Sequence, residues 1–288
     1  MKKKKLNIGI QGVKGSYHHI VSEYYFEENF YLRECLSFDH LVEEIIKSNI
    51  DKGVIAIENS IAGRVADIHH LLPQSGLHII AEHFQGVNHH LLAQRGATLE
   101  SISQVQSHIH ALAQCRSIIR ELGLEARIAA DTAGSAAEIA TSGDPSRAAI
   151  ASRLAAEIYG LEVLRENIED SNHNTTRFLV MSEEPSDPDR AEGPVITTFV
   201  FKVRNIPAAL YKALGGFATN GVNMLKLESY LLDGSFTSAQ FYADVEGHPD
   251  ETALRLALEE LGFFSRTVNI LGVYTSDDYR RRSPSSDE

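Results

Sequence analysis

A five-residue run near the middle of the chain, Asn174-Thr175-Thr176-Arg177-Phe178, places a hydroxyl group, a guanidinium group and an aromatic ring side by side. The run leads into an apolar segment, Phe178 to Met181, that predicts a buried strand. The Thr176 hydroxyl can donate a hydrogen bond to a leaving oxygen atom, and the Arg177 guanidinium can bind a carboxylate through two parallel hydrogen bonds. A strand would hold both groups in place, so the run predicts a functional site.

Hydroxyl and amide side chains also follow several predicted strands, at the points where the strands end. They are Ser16, Asn59, Ser60, Ser107 and Thr132. Ligands of open α/β sheets bind outside the carboxyl ends of the strands, where helix N-termini offer N–H groups to anions. These side chains therefore suit a multiply anionic small molecule. As an alternative, Ser16, Ser60 and Thr132 only cap helices, which is the usual role of such residues, and the sequence leaves both interpretations open.

Short apolar runs alternate with helical patterns over the first 180 residues, and this alternation predicts an α/β fold with mostly parallel strands. The predicted strands are Leu6 to Ile10, Gly53 to Ile57, Val105 to Gln106, Ala126 to Ala130, Ala148 to Ala151 and Arg177 to Met181. Examples of the helical patterns are Phe38 to Lys47, Ala111 to Leu122 and Ser135 to Thr141.

Residues 182–194 interrupt this pattern with proline, glycine and acidic residues, which predicts a linker. The elements after the linker follow a βαββαβ order, which is that of a ferredoxin-like fold. They are the strand Val195 to Val203, the helix Pro207 to Thr219, the strand Val222 to Leu232, a turn at Asp233-Gly234, the strand Ser235 to Val245, the helix Asp250 to Leu261 and the strand Thr267 to Tyr274. We expect the polar residues 280–288 to be disordered.

The composition limits the class of protein. A chain of 288 residues with 43% hydrophobic residues is long enough for two domains. The formal net charge of -12 argues against nucleic-acid and anionic membrane partners, which require a basic surface. The apolar stretch after the basic start is too short for a signal or membrane segment, so we expect a cytoplasmic protein. Two cysteines, Cys35 and Cys115, cannot form a disulfide framework.

The sequence favours neither a cofactor nor a metal ion. The Gly12-x-x-Gly15 pattern lacks the third glycine of a dinucleotide-binding fingerprint, and the chain has no Gly-Lys-Ser/Thr phosphate loop. The histidine groups that invite a metal interpretation are His18-His19, His69-His70, His89-His90 and His108-x-His110. Adjacent side chains point in different directions on a strand, and the chain has no His-Glu-x-x-His motif. We therefore expect no cofactor and no metal.

Two further residues have both a chemical and a structural interpretation. Glu58 can act as a general base, but its place after a strand favours hydrogen bonds from neighbouring loop amides. Cys115 lies in a helical apolar pattern, which favours a buried small side chain over a nucleophile.

Five motifs, in their order and spacing, resemble those of prephenate dehydratases. They are Gly12-Val13-Lys14-Gly15-Ser16-Tyr17, Ile57-Glu58-Asn59-Ser60-Ile61-Ala62-Gly63, Ser107-His108 with Ala111-Leu112-Ala113-Gln114-Cys115, Asp131-Thr132-Ala133-Gly134, and the run from Asn174 to Phe178. The resemblance implies a two-lobed catalytic domain over residues 1–181, similar to periplasmic binding proteins, and a ferredoxin-like ACT regulatory domain over residues 195–279. It places the crossings between the lobes near Glu82 to Val87 and near Asn172 to Arg177, with Thr176 at the hinge.

Prephenate dehydratases convert prephenate to phenylpyruvate by losing water and carbon dioxide together, a step of phenylalanine biosynthesis that needs no cofactor. The resemblance implies that Thr176 is the essential threonine and that Arg177 binds a substrate carboxylate. The other side chains that it places at the substrate are Ser16, Asn59, Ser60, Ser107, Thr132 and Phe178. Because a threonine hydroxyl is a weak acid, we expect Thr176 to donate a hydrogen bond that stabilises charge on the leaving oxygen atom.

The resemblance also implies an effector site for phenylalanine in the ACT domain. The residues at the corresponding positions are Ala208, Ala209, Leu210, Asn223, Glu228 and Ser229. Tyr230 stands where the family usually has an arginine, which removes a permanent cation. ACT domains pair between subunits, so we expect a homodimer or a homotetramer.

Two alternatives remain open at the level of the sequence. Arogenate differs from prephenate by an amine in place of the side-chain carbonyl, and no residue decides between the two substrates. A non-catalytic amino-acid-binding module is the second alternative, because two-lobed α/β folds also serve as receptors. A receptor needs a guanidinium such as that of Arg177 but has little need of the Thr176 hydroxyl beside it, so the sequence favours an enzyme.

Overall fold

The computed structural model describes residues 5–27, 29–171, 173–190, 193–231 and 239–282. The strands within these ranges are β1 (Leu6–Gln11), β2 (Phe30–Cys35), β3 (Lys52–Asn59), β4 (Gly63–Arg64), β5 (His78–Gly86), β6 (His90–Ala93), β7 (Gln104–His108), β8 (Glu125–Ala129), β9 (Arg147–Ala151), β10 (Glu162–Arg165), β11 (Thr175–Ser182), β12 (Val195–Val203), β13 (Met224–Leu231), β14 (Ala239–Glu246) and β15 (Ser265–Thr275). The helices are α1 (Tyr17–Phe26), α2 (Phe38–Ile46), α3 (Ala66–Leu71), α4 (Ile109–Gln114), α5 (Arg116–Glu121), α6 (Thr132–Ser142), α7 (Arg153–Tyr159), α8 (Ala209–Thr219), α9 (Thr252–Phe264) and α10 (Tyr279–Arg282). Across the described ranges, no helix is long and apolar enough to cross a membrane.

The chain folds into two compact units. The first unit comprises Met1–Val65 and Phe84–Phe178, and the second comprises Ala66–His83 and Leu179–Glu288. The sequence analysis assigned residues 66–83 to the catalytic domain, but in the structure they pack with the C-terminal residues. The domain boundary after residue 181 stays a prediction.

The first unit contains two lobes, and the first lobe is built on a sheet in the order β2-β1-β3. These strands are parallel, and the short β4 is antiparallel to β3. The side chains of Ile8 and Ile10 pack with Val21 of α1 in the core of this lobe. Helix α2 approaches β1 so closely that a Cβ atom at Gly9 would lie 2.2 Å from Leu41 Cδ1. The absence of a side chain at this position therefore allows the helix to pack on the sheet.

The second lobe contains a sheet in the order β10-β6-β9-β7-β8. Strand β7 is parallel to β8 and β9, whereas β6 is antiparallel to β9 and β10. Side chains of β9 alternate between two apolar clusters: Ala148 and Ile150 belong to one, and Ala149 belongs to the other. The sheet is therefore buried on both faces, as the predicted α/β fold requires, although half of its strand pairs are antiparallel.

The chain crosses between these two lobes twice. The first crossing lies between β5 and β6 and the second between β10 and β11, close to the positions expected from the sequence. The crossings are joined by a backbone hydrogen bond in which Val87 N donates to Asn174 O over 2.8 Å. Thr176 follows two residues later, so it lies beside the crossing as expected. Asn172, at the predicted start of the second crossing, lies outside the described residues.

The second unit has the predicted βαββαβ order, from β12 through α8, β13, β14 and α9 to β15. Its antiparallel strands lie in the order β13-β14-β12-β15, which is the ferredoxin-like arrangement. Helices α8 and α9 cover one face of the sheet through Phe217, Leu254 and Leu261. Helix α8 begins at Ala209, two residues after the predicted start, and the predicted Asp233-Gly234 turn lies outside the described residues.

Residues 66–83 extend this second unit. Strand β5 pairs in parallel with β15, with Ile79 opposite Gly272. His69 of α3 is fully buried, and its ring packs edge-on against that of Tyr242 in β14, with 5.1 Å between the centroids. The segment thereby covers part of the sheet that the sequence analysis treated as a separate domain.

The prediction of a disordered end from residue 280 onward is wrong for its first three residues. Residues 280–282 belong to helix α10. Arg280 donates two hydrogen bonds to the fully buried carboxylate of Glu82, with Nε and Nη2 at 2.7 and 2.8 Å. A buried carboxylate needs such a partner, and this requirement orders the start of the tail. Residues 283–288 lie outside the described residues.

The single helix predicted from Ala111 to Leu122 is two helices. Helix α4 ends at Gln114 and α5 begins at Arg116, with Cys115 between them in a non-helical conformation. Asp170 stabilises the start of α5, because its carboxylate accepts hydrogen bonds from the backbone N–H groups of Arg116 and Ser117. This partner is 54 residues away from Arg116 along the chain, so the break has no local signal in the sequence.

A partly buried histidine in the first lobe predicts a loss of stability in acid. Burial lowers the pKa of His18 to about 4, and its Nε2 accepts a hydrogen bond from Ala56 N at 3.2 Å. Because the pKa is depressed in the folded state, the unfolded chain binds the proton first, and stability falls as the pH decreases from about 6.5 towards 4. Between pH 7.5 and pH 5 the free energy of unfolding should fall by about 2 kcal/mol through His18.

The measurement is urea unfolding at both pH values, compared between the parent and a His18→Gln variant. Glutamine can keep an acceptor for Ala56 N but does not titrate. The variant should therefore lose about 2 kcal/mol less than the parent between the two pH values. Equal losses in the two proteins would show that His18 is not the titrating group.

Candidate functional site

Two pairs of residues meet between the neighbouring strands β3 and β11. Because side chains alternate along a strand, the two pairs lie on opposite faces of the sheet. Successive side chains of a strand point to opposite faces. On one face Asn59 of β3 contacts Thr176 of β11, with 2.8 Å between Nδ2 and Oγ1. On the other face Glu58 contacts Arg177, with 3.1 Å between Oε1 and Nη1. Thr176 and Arg177 therefore do not act from the same side of the strand.

The orientation of the Asn59 carboxamide is fixed by the loop that follows β3. Its Oδ1 accepts hydrogen bonds from the backbone N–H groups of Ile61 and Ala62 at 3.0 and 2.8 Å. An oxygen atom must face these donors, so the Nδ2 group must face the other way. Nδ2 donates to Oγ1 of Thr176 at 2.8 Å and to Oδ1 of Asn174 at 2.7 Å.

Further hydrogen bonds lead from Asn174 into the second lobe, and in each of them the donor and the acceptor can be assigned. Because Oδ1 of Asn174 accepts from Asn59, its Nδ2 is turned to Gln114 and donates to Oε1 at 2.8 Å. The same Gln114 oxygen lies 3.0 Å from Nε2 of His89. Since an amide oxygen is only an acceptor, His89 must carry a proton on Nε2. Four side chains and Thr176 thus form one polar network across the two lobes.

Within this network the Thr176 hydroxyl accepts a hydrogen bond, so its own proton can be donated to another acceptor. The Oγ1 atom accepts from Asn59, whose Nδ2 can only donate. Thr176 as a whole residue is 9% exposed, and it lies at the end of the described network. A hydroxyl whose lone pair is already engaged by an N–H group is also a better hydrogen-bond donor, because hydrogen bonds in a chain polarise one another. The arrangement can therefore donate a directed hydrogen bond to an oxygen atom of a ligand.

Arg177 is buried, with 1% of its surface exposed, and it is paired with Glu58, whose side chain is 29% exposed. Its guanidinium carbon also lies 5.9 Å from the centre of the Phe84 ring, in a cation–π contact. The sequence analysis favoured loop amides as the partners of Glu58. The structure gives Glu58 the Arg177 guanidinium as a partner, and the loop-amide interpretation stays a prediction. The predicted contact of Arg177 with a substrate carboxylate stays a prediction.

Burial keeps two groups in their neutral forms: His89, which belongs to the network, and Cys115, which lies beside it. It lowers the pKa of His89, which is 2% exposed. Burial raises the pKa of the Cys115 thiol, next to Gln114 in the chain, and the carboxylate of Asp170 raises it further. A neutral buried thiol is not a nucleophile, which confirms the structural interpretation of Cys115.

Ser60 belongs to the same region, but not as a helix cap. Its Oγ donates to His173 O at 2.7 Å and accepts from Thr175 N at 2.9 Å, so it ties the end of β3 to the start of β11. Ser60 is followed by strand β4 rather than by a helix. Ser16, in contrast, is the N-cap of α1 and accepts from His19 N at 3.4 Å. The capping interpretation is therefore wrong for Ser60 and confirmed for Ser16.

Three other predicted site residues have structural roles away from the network. Thr132 is the first residue of α6, but Asp131 caps that helix by accepting from Gly134 N at 2.6 Å. Ser107 is fully buried and donates to Ile150 O at 2.6 Å. Phe178 lies in the core of the first lobe. The hydrogen bonds of these residues do not reach Thr176, and their contacts with a substrate stay predictions.

The sequence analysis did not name Asn174, Gln114 or His89 as site residues. Asn174 and Gln114 were part of the quoted motifs, so a signal was present, but polar residues in a motif do not reveal their partners. His89 was considered only as one of a pair of possible metal ligands. In the described part of the chain, no three His, Cys, Asp or Glu side chains lie close enough together to hold a metal ion.

The predicted effector residues lie in the second unit, at the start of α8 and along β13. Ala208, the N-cap of α8, has a left-handed backbone with φ of 59°. Such a conformation favours glycine and costs alanine about 1–2 kcal/mol. Ala209 is buried and begins the helix, and Leu210 packs on the core of the unit.

The carboxylate of Glu228 already has a lysine and a histidine as neighbours in the structure. Lys226 Nζ lies 3.2 Å from Oε1, and His69 Nε2 lies 3.2 Å from Oε2. Tyr230 is buried, its hydroxyl accepts from Gln240 Nε2 at 2.5 Å, and its ring packs edge-on against that of His70. These contacts surround the position where the sequence analysis noted the loss of an arginine.

Two other predicted effector residues lie on the same part of the unit. Asn223 precedes β13, and its Nδ2 donates to Glu246 Oε2 at 3.2 Å. Ser229 follows Glu228 in β13, opposite Phe241 of β14. Binding of an effector by these residues stays a prediction.

The fold and the polar network together define a class of protein. A two-lobed α/β unit with convergent, oriented polar groups where the chain crosses between its lobes is typical of proteins that bind a small polar molecule. A comparison with known families identifies the family. The family model for prephenate dehydratase matches residues 8–186. The chain therefore belongs to the prephenate dehydratase family.

Individual relatives agree with this assignment. A bifunctional N-acyl-homoserine lactone acylase/prephenate dehydratase of Komagataeibacter europaeus is 49% identical over 248 residues, 86% of this chain and 88% of the relative. The chloroplastic arogenate dehydratase/prephenate dehydratase 1 of Arabidopsis thaliana is 36% identical over 287 residues, 95% of this chain and 73% of the relative. The crystal structure of prephenate dehydratase in complex with L-Phe from Arthrobacter aurescens matches with a TM-score of 0.86 and 28% identity, over 95% of this chain and 91% of that chain. The last match confirms the predicted fold class.

Proposed function

We propose that this protein is a prephenate dehydratase that converts prephenate to phenylpyruvate, carbon dioxide and water. In this carbon–oxygen lyase reaction the ring carboxylate leaves as carbon dioxide, and its bonding electron pair enters the ring. The ring hydroxyl leaves at the opposite carbon atom and takes up a proton to become water. Aromatisation drives the reaction, so the protein has to hold the substrate and assist the departure of the hydroxyl.

The observation that carries the proposal is the oriented hydroxyl of Thr176. Asn59 engages the oxygen atom, so the proton is directed away from the protein network. We assign this proton to a hydrogen bond with the leaving oxygen atom of the substrate. Negative charge develops on that atom as the bond breaks, and a fixed donor stabilises it in the transition state. The net proton then comes from water, because a threonine hydroxyl is too weak an acid to supply it.

Prephenate is the first candidate substrate, and arogenate is the alternative. The two molecules share the ring that reacts and differ in the side chain, where arogenate has an amine. The Arabidopsis relative is named for both activities. Assays with both substrates, under the same conditions, decide between them through the ratio of the kcat/KM values.

The experiment incubates the purified protein with prephenate at neutral pH and measures phenylpyruvate by the absorbance of its enolate in alkali. Acid alone aromatises prephenate, so a Thr176→Ala variant runs beside the parent as a control. Turnover by the parent and its loss in the variant would support the proposal. A parent that forms no more phenylpyruvate than the variant, with arogenate also unreacted, would overturn it and favour a binding protein.

A second candidate activity is hydrolysis of the amide bond in N-acyl-homoserine lactones. It rests on the relative of Komagataeibacter europaeus, which is named as a bifunctional N-acyl-homoserine lactone acylase and prephenate dehydratase. A Ser, Thr or Cys nucleophile usually has a histidine base within hydrogen-bond distance. Among the hydrogen bonds of the described residues in the first unit, none joins such a side chain to a histidine ring, so this activity ranks second. Release of the fatty acid from an N-acyl-homoserine lactone, measured with the same protein, tests it.

Regulation and assembly extend the proposal. We assign residues 195–279 to an ACT domain that binds phenylalanine, supported by the βαββαβ order and by the Arthrobacter structure, which contains L-Phe. The subunits pair into a homodimer or a homotetramer. Adding phenylalanine to the dehydratase assay tests the first statement, and light scattering at micromolar concentration tests the second.

A further inference from the structure

His89 immediately precedes β6 and is held in place by several contacts. It is 2% exposed, and its backbone N–H donates to Glu169 Oε2 at 2.8 Å while its carbonyl oxygen accepts from Ile168 N at 2.9 Å. The ring of Tyr17 packs edge-on against the imidazole, with 6.1 Å between the centroids. These contacts restrain the backbone and the ring of His89.

The protonation of His89 follows from the chain of amides that begins at Asn59. Each carboxamide fixes the next, so Gln114 turns its Oε1 towards both Asn174 Nδ2 and His89 Nε2. The proton therefore sits on Nε2, and Nδ1 is bare. Nδ1 is buried, and no described residue donates a hydrogen bond to it. Burial also lowers the pKa of His89, so the imidazole stays neutral near neutral pH.

The hydrogen bonds from Asn174 and His89 determine which atoms of the Gln114 carboxamide remain available. Its Oε1 accepts two hydrogen bonds, from Asn174 and from His89, and both lone pairs of the oxygen are used. Its Nε2 group carries two donors, and within the described residues it makes no hydrogen bond to the protein. Since Gln114 is only partly buried and belongs to the same network as Thr176, these donors are available to a ligand.

We propose that His89 is a positioning residue of the dehydratase site: its Nε2–H group holds the Gln114 carboxamide so that the Gln114 Nε2 group is presented to an oxygen atom of the anionic substrate. This inference rests on the proposed function. Asn174 alone leaves the carboxamide with one tether, about which it can rotate. His89 supplies the second tether, and two tethers fix both the position and the direction of the donor.

The activity test compares His89→Leu with His89→Gln. Leucine has a similar size but no donor, whereas glutamine can place an N–H group near the position of the imidazole Nε2 atom. For His89→Leu we expect a loss of roughly 10-fold in kcat/KM, the size of one lost hydrogen bond in the transition state. His89→Gln should recover most of this loss. Both variants should unfold at similar urea concentrations, because a merely structural role would move stability rather than activity.

A second measurement requires no substrate. Protein labelled with 15N in histidine gives separate signals for protonated and bare ring nitrogen atoms, and the signals that disappear in His89→Gln assign those of His89. We expect a protonated Nε2 and a bare Nδ1 at neutral pH. A Gln114→Leu variant, which lacks the acceptor, should shift the Nε2 signal.

The outcomes separate this inference from the proposed function. A parent without dehydratase turnover removes the reaction and the role together. An active parent with an equally active, folded His89→Leu variant removes the role of His89 alone. A proton on Nδ1, a charged imidazolium at neutral pH, or a His89→Gln variant as impaired as His89→Leu would each contradict the proposed hydrogen bond.

Discussion

The Thr176→Ala variant is expected to lose about 10²- to 10³-fold in kcat for prephenate, with KM changed by no more than about threefold. The hydroxyl is the donor whose direction the network fixes, through Asn59 Nδ2 at 2.8 Å. If it meets the leaving oxygen atom only as charge develops there, its removal weakens the transition state and leaves the bound substrate nearly unaffected. Steady-state kinetics with prephenate at neutral pH gives both constants.

The matched control is Thr176→Ser, which keeps the hydroxyl and removes only a methyl group. It should stay within about tenfold of the parent in kcat, because serine has the same donor and acceptor groups. The urea unfolding midpoint should be reported for both variants, since Thr176 is nearly buried. A large rise in KM for Thr176→Ala, with kcat preserved, would mean that the hydroxyl binds substrate and does not assist the departure of the leaving group.

The sequence predicted the elements of the fold through simple apolar patterns. The alternation of apolar residues in β1 and the apolar run in β9 both follow from burial, and the βαββαβ order follows from the succession of elements. Local patterns could not predict that Arg280 would order the start of the C-terminal tail. That contact depends on Glu82, which is 198 residues away in the chain and needs a cation because it is buried.

For the site, the sequence predicted Asn59, Ser60 and Thr176, and the structure brings these three together at the ends of β3 and β11. The sequence analysis treated Thr176 and Arg177 as one group, although adjacent side chains of a strand point to opposite faces. The same rule separates Glu58 from Asn59, and it explains why the two pairs meet on opposite faces.

The remaining part of the site could not be predicted from motifs. Gln114 and His89 join the network through carboxamide oxygen and nitrogen atoms whose directions depend on every previous member of the chain. Such directions appear only when the partners are placed in space. The histidine pairs likewise predicted nothing specific, because His18 accepts a backbone hydrogen bond whereas His89 donates to a side chain.

Replacement of Arg177 tests its pair with the partly exposed Glu58. In Arg177→Met the Glu58 carboxylate loses its guanidinium partner, and the free energy of unfolding should fall by about 2 kcal/mol, because water can partly replace that partner. Glu58→Gln keeps an acceptor for the guanidinium and should cost less. In the double variant Arg177→Met/Glu58→Gln no carboxylate remains beside the deleted cation, so the double variant should be more stable than Arg177→Met, with a coupling above about 1 kcal/mol.

A further variant, Arg177→Lys, compared with Glu58→Gln, decides whether Arg177 also binds substrate, as the resemblance to the family implies. Arg177→Lys keeps the positive charge but loses the planar fork that pairs with a carboxylate. If the guanidinium contacts a substrate carboxylate, KM should rise by about tenfold or more in Arg177→Lys and remain near the parent value in Glu58→Gln. If its role is only to neutralise Glu58, both variants should lose stability while KM stays unchanged. Because Arg177 is 1% exposed and lies on the face opposite Thr176, we expect the stability effect to be the larger of the two.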